Sequence, residues 1–205
     1  MIKTTVKIIA LAGLLLFSAC QPPKRHLGTE NVIIRPNPKL DLAQGTVRFW
    51  HEGGLVVGGK KILQTGHPNS CNRGDRALMR FDLRRFIAKE KIYRARFSFT
   101  ISNIYGPDPK RILQLDCIRN ECAKLIHADI MSEKAIPICQ FEIDNPPQLV
   151  SIDVTEAVNA ALFKGFGGVT FRLKDPKAER LGNPKNIPTG SGVLVPSIRL
   201  EVENF

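Results

Sequence analysis

Tryptophan occurs once in the 205 residues, tyrosine twice and histidine four times. His26, His51, His67 and His127 are scattered, and no H-E-x-x-H or similar spacing joins them, which excludes the common zinc-hydrolase patterns. With Trp50 as the single tryptophan, the chain lacks the stacking aromatics, interleaved with basic residues, that single-stranded nucleic acid requires, so nucleic acid is not an expected partner. The "GSG" around Ser191 lacks the strand and helix that flank a nucleophile elbow. "GFGG" at 165–168 reads as a turn, because no phosphate-loop pattern continues from it. Glu142, Asp144 and Asp153 lie in strand-like runs whose alternation points to a solvated face, not to an acid–base pair or a calcium site. No catalytic residue, metal or cofactor is therefore assigned, and no internal repeat is evident.

Long apolar runs are also missing, except at the start. "MIKTTVKIIALAGLLLFSAC" carries Lys3 and Lys7, an apolar run from Ile8 to Phe17, and small residues before Cys20. The run is short for a membrane span and reads as a secretory signal over residues 1–19. The final "LFSAC" resembles a bacterial lipobox, which implies that Cys20 is acylated and becomes the first residue of the mature protein. Gln21 after it favours the outer membrane of a Gram-negative cell envelope. At about 0.8 kcal/mol per buried methylene, two or three acyl chains make a durable anchor. Residues 20–31 read as the lipidated cysteine and a polar, proline-bearing tether, and residues 32–205 as one domain with a single core.

Acidic residues are scarce relative to basic ones. Without Lys3 and Lys7 the lysine and arginine count falls from 30 to 28 against 19 acidic residues, so the mature chain carries about +9. Anionic partners suit that balance. Cysteine is sparse too, but even in number after Cys20: Cys71, Cys117, Cys122 and Cys139. In an exported chain this predicts two disulfides with three possible connectivities. Cys117 with Cys122 would close a short hairpin loop and contribute roughly 2 kcal/mol, and Cys71 with Cys139 about 4 kcal/mol. A four-cysteine zinc site would need closer spacings.

What the chain does have is period-two alternation. "KIYRARFSFTISN" sets Tyr93, Ala95, Phe97, Phe99 and Ile101 against Arg94, Arg96, Ser98 and Thr100, as a half-buried antiparallel strand requires. "TVRFWHE", "GLVVG", "RALMRFDL", "RILQLDC", "KLIHADI", "ICQFEI", "LVSIDV", "GVTFRLK" and "SIRLEVEN" read likewise, which predicts a β-sandwich. One helix is expected in "DVTEAVNAALFKG", with Val154, Val158, Ala161 and Leu162 on one face, Thr155 as N-cap and Gly165 as the stop. The stretch from Asp175 to Gly192 has neither period and reads as a long loop.

"RALMRFDL" followed by "YRARFSFTIS", the helix start "SIDVTEAVNAAL", the closing "PSIRLEVEN" and "GLVVG" together resemble the DNRLRE-type domains, which overlap carbohydrate-binding module family 96. The resemblance covers about residues 46–205 and implies an all-β jelly-roll β-sandwich with one short helix, without catalysis, in some members binding anionic polysaccharide. No site residue of that family maps onto this chain.

Arg80, Arg94, Arg96, Arg172, Lys174 and Arg199 all alternate away from apolar neighbours, and on adjacent strands they would form a basic face able to grip carboxylate or sulfate, with Trp50 stacking on a sugar ring. The expected function is a lipid-anchored envelope module binding an acidic polysaccharide or other envelope glycan. The alternative is a structural or adhesive lipoprotein that contacts another protein.

Overall fold

The computed structural model describes residues 30–48, 54–67, 73–87, 91–118, 124–126, 129, 135–181 and 189–204. In chain order the strands are β1 (Glu30–Ile34), β2 (Leu42–Arg48), β3 (Leu55–Val57), β4 (Ile62–His67), β5 (Arg73–Asp82), β6 (Ile92–Tyr105), β7 (Arg111–Ile118), β8 (Ile136–Ile143), β9 (Gln148–Asp153), β10 (Gly168–Lys174) and β11 (Thr189–Asn204). Helix α1 (Thr155–Phe163) lies between β9 and β10, and helix α2 (Pro176–Leu181) between β10 and β11. The described strand pairs are all antiparallel.

The connectivity is that of a jelly roll. One sheet runs β1-β11-β6-β9, and the other runs β5-β10-β7-β8. Numbered along the chain as eight, these strands fall in the orders 1-8-3-6 and 2-7-4-5, the two interlocked Greek keys of that fold. The remaining three strands extend it: β2 and β3 lengthen the second sheet beyond β5, and β4 lies along the first half of β11. At one edge Gly66 of β4 pairs with Asp75 of β5 and joins the sheets. There Gly66 has φ +82°, and a Cβ on it would stand 2.7 Å from the Thr189 carbonyl oxygen, so the crossing admits glycine alone.

The core forms where the inner faces meet. Phe81 and Phe171 of one sheet lie 5.6 Å and 5.0 Å from Phe97 of the other, ring centre to ring centre, and Phe99 lies 6.1 Å from Phe141. All but Phe141 are fully buried, and such ring pairs add about 0.5–1.5 kcal/mol each beyond their area. Met79 and Phe81 of "RALMRFDL" enter this core, as alternation predicts, and Arg80 and Asp82 take the other face.

Several local expectations change. Tyr93 is 61% exposed while Ile92 is buried, because a register shift between Glu203 and Asn204 of β11 places a bulge at the start of β6. The described residues of "KLIHADI" form no strand: Asp129 turns back on Ile126, accepting its N–H and donating to its carbonyl. Strand β1 begins at Glu30, two residues before the expected domain start.

Helix α1 is found as expected, with Val158 and Ala161 buried and Gly165 at φ +72° ending it. Val154, not Thr155, holds the N-cap position; Asp153 satisfies the Thr155 N–H. The Asn159 side chain clasps both backbone groups of Ile92, which holds the helix across that end of the sandwich. Helix α2 lies within the stretch expected to be a loop. Asp175 accepts the N–H groups of Lys177 and Ala178, and Pro176 opens the helix, a cap and first-turn signal that hydrophobic period cannot register.

Candidate functional site

The six cations expected on one basic face are divided between the two sheets. Arg80, Arg172 and Lys174 stand on the outer face of β5 and β10, and that face is covered. Ala43, Leu78, Ile118 and Leu125 form a second apolar cluster over it, and α2 is tied to β5 by Arg76 and Glu179 at 2.7 Å. Arg172 is only 4% exposed and lies directly opposite Asp116 of β7 in register. Its Nη2 and Nε donate to Asp116 Oδ2 at 2.7 and 3.0 Å, Lys174 Nζ is 3.3 Å from the same oxygen, and Gln114 donates to Oδ1 at 2.6 Å. Burial pushes the Asp116 carboxyl up, but these donors and the two cations outweigh it and hold the group below the usual carboxylate range. Arg80 meets Asp41 at 3.6 Å.

Arg94, Arg96 and Arg199 stand on the opposite face, that of β1, β11, β6 and β9. There Arg94 lies opposite Glu203, and Arg96 between Glu201 and Asp153. Arg199 Nε donates to Glu201 Oε1 at 2.6 Å. Three arginines thus face three carboxylates, and the expected single basic face does not assemble. The partners were visible in "SIRLEVEN", where Glu201 and Glu203 share the outward parity of Arg199. Among the described residues Arg94 and Arg96 alone of the six form no ion pair.

Asp153 connects those two arginines to a pocket. At the α1 end of the sandwich a recess of about 550 Å³ opens between the start of α1 and the ends of β7, β8 and β10. Pro137, Ile138, Phe166 and Val169 give it apolar walls, while Asp153, Thr155 and Glu156 supply polar groups. Hydrogen bonds from Thr155, side chain first and then backbone, together with the charges of Arg94 and Arg96, hold the Asp153 carboxyl below its ordinary range. The apolar wall can pack against a sugar ring and the polar groups can accept hydrogen bonds from its hydroxyls, while Arg94 and Arg96, outside the lining but next to Asp153, can meet an acidic substituent that extends from it.

The remaining expectations divide by position. Cys20, Trp50, Cys71 and Cys122 lie outside the described residues. No disulfide is present at Cys117 or Cys139, contrary to the expectation of two bridges. They lie on the paired strands β7 and β8, and burial pushes the Cys139 thiol above its ordinary range. Among the described residues no three His, Cys, Asp or Glu side chains gather as metal ligands, and no helix is long and apolar enough to cross a membrane. No protein-family model and no curated protein matches the chain.

Proposed function

We propose that this chain is a non-catalytic module, anchored to the cell envelope through acylated Cys20, that binds an acidic carbohydrate at the α1 end of its jelly roll. The observation that carries the reading is the position of Arg94 and Arg96, without ion pairs among the described residues, beside Asp153 at the pocket. The net charge supports an anionic partner, and guanidinium groups match carboxylate or sulfate in geometry. Contact confined to this end agrees with the balanced charges along the rest of the open face, which give a polyanion little reason to lie across it.

The test is binding of the chain from Gln21 onward to a panel of acidic and neutral glycans at two salt concentrations. The reading expects selective binding to acidic glycans, weaker at high salt, and lost when Arg94 and Arg96 are both changed to Ala. No binding to any glycan of the panel would count against it.

A second reading, a structural or adhesive lipoprotein that contacts another protein, is favoured by one feature. Ile33, Tyr93 and Leu149, each about three-fifths exposed, stand among the charges of that same open sheet. Pull-down from envelope extract with glycan removed, and its loss on Tyr93→Ser with Leu149→Ser, would select this reading.

A further inference from the structure

At the end of the sandwich opposite α1, polar side chains are buried inside the fold. The inward parity of four strands brings polar side chains into it. Thr65 follows Leu63 on β4, Ser191 precedes Val193 on β11, Arg111 precedes Leu113 on β7, and Asp175 follows Leu173 just beyond β10. All four are at least nine-tenths buried: Thr65, Ser191 and Asp175 at 0% exposure, Arg111 at 6%.

Each of them also carries one buried atom without a hydrogen-bond partner among the described residues: Thr65 Oγ1, Ser191 Oγ, Arg111 Nε and Asp175 Oδ2. The other polar side-chain atoms of Arg111 and Asp175 are engaged, which fixes those two in place. Arg111 Nη2 donates to the Tyr105 carbonyl at 2.9 Å, and Asp175 Oδ1 accepts the first N–H groups of α2. Proximity follows from the register. Thr65 lies opposite Ser191, and Tyr105 lies opposite Gly190, the neighbour of Ser191. Arg111 and Asp175 also influence each other electrostatically.

A buried polar atom left unmatched is costly, and four at one end of the sandwich are more than chance leaves in a folded domain. The groups define what would satisfy them. One guanidinium N–H donates, one carboxylate oxygen accepts, and two hydroxyls do either. Arg111 disfavours a cation at this position and Asp175 disfavours an anion, so the complement is uncharged and both donates and accepts.

We propose that Thr65, Ser191, Arg111 and Asp175 form an internal site for neutral hydroxyl groups, which bridge α2 to the β4–β11 pair. Water supplies that chemistry most simply, since a buried water makes about three hydrogen bonds. The hydroxyls of a small polyol supply it equally. The site is separate from the carbohydrate contact proposed above, at the other end of the molecule, and does not depend on it.

High-resolution crystals of the intact chain, one grown without polyols and one soaked in glycerol, test the proposal. The expected result is density within hydrogen-bond distance of at least three of the four atoms. Water-sized density in both crystals makes water the source, and glycerol-shaped density in the second shows that polyol hydroxyls enter. Direct contact between Arg111 Nε and Asp175 Oδ2 with no density between them, or density that refines as a metal ion, overturns it. In solution, long-lived water-to-amide transfer at residues 65 and 191 is expected in the parent and is lost in Ser191→Ala and Thr65→Val. Transfer unchanged in both variants, or in Ser191→Ala alone should the other fail to fold, also overturns it.

Discussion

The two outer faces of the sandwich carry the same residue types on the same alternation and use them differently. On the β5-β10-β7 face, α2 and the apolar cluster around Leu78 and Leu125 exclude water, and Arg172 is locked to Asp116. On the β11-β6-β9 face no comparable layer is found among the described residues, and Arg94 and Arg96 stand near carboxylates without closing on them. A charge under a covering layer becomes part of the structure, because leaving it unpaired there is costly. A charge in the open stays available to a ligand. Cover, more than sequence pattern, separates the structural arginine from the candidate binding one.

The comparison is broken most strongly at Asp116. Asp116→Ala strands Arg172 without its counter-charge and is expected to destabilise the fold by about 3–5 kcal/mol, read as a lowered urea midpoint. If the loss were under about 1 kcal/mol, the covered face would be no different in kind from the open one.

A pH titration of stability sharpens the same contrast. The Asp116 carboxyl is held below its unfolded value, so the unfolded chain takes up the proton first. Its contribution is complete above the ordinary carboxylate range and is lost as pH falls through the depressed folded value. Acid-induced loss of stability should therefore shrink in Asp116→Asn, compared in the same acid titration.

On the open face the order reverses, with function affected and stability spared. Arg94→Ala with Arg96→Ala should change unfolding free energy by no more than about 0.5 kcal/mol while removing glycan binding. The narrowest effect belongs to Arg199→Ala, which should leave glycan binding in place and cost only about 0.2–1 kcal/mol of stability at low salt, vanishing near about 1 M salt as the pair with Glu201 is screened.

The sequence was informative where the physics is local. Alternation located β5, β6 and β10 and their inward phenylalanines, and helical spacing located α1. Alternation reports which residues leave the core, and it is silent about whether a further layer waits on the other side. Arg172 and Arg96 therefore looked alike until α2 and Leu125 were placed over one of them. Helix α2 itself was signalled by Asp175-Pro176, and Tyr93 was misplaced because a one-residue bulge inverts parity. The pocket draws on β7, β8, β10 and α1 together, and no single stretch contains it.

Strand β11 shares one of its long edges between two different segments, β4 along Thr189–Leu194 and β1 along Leu200–Asn204. If the chain is tethered by residues that precede Glu30, any tension on that tether enters the domain through β1, whose grip on β11 extends over five paired residues. The phenylalanine core lies between other strands and is not first in the path of the load. Strand β1 would then act as a mechanical fuse: it can be peeled away and rezip while the ten remaining strands, β2 to β11, keep their own pairings.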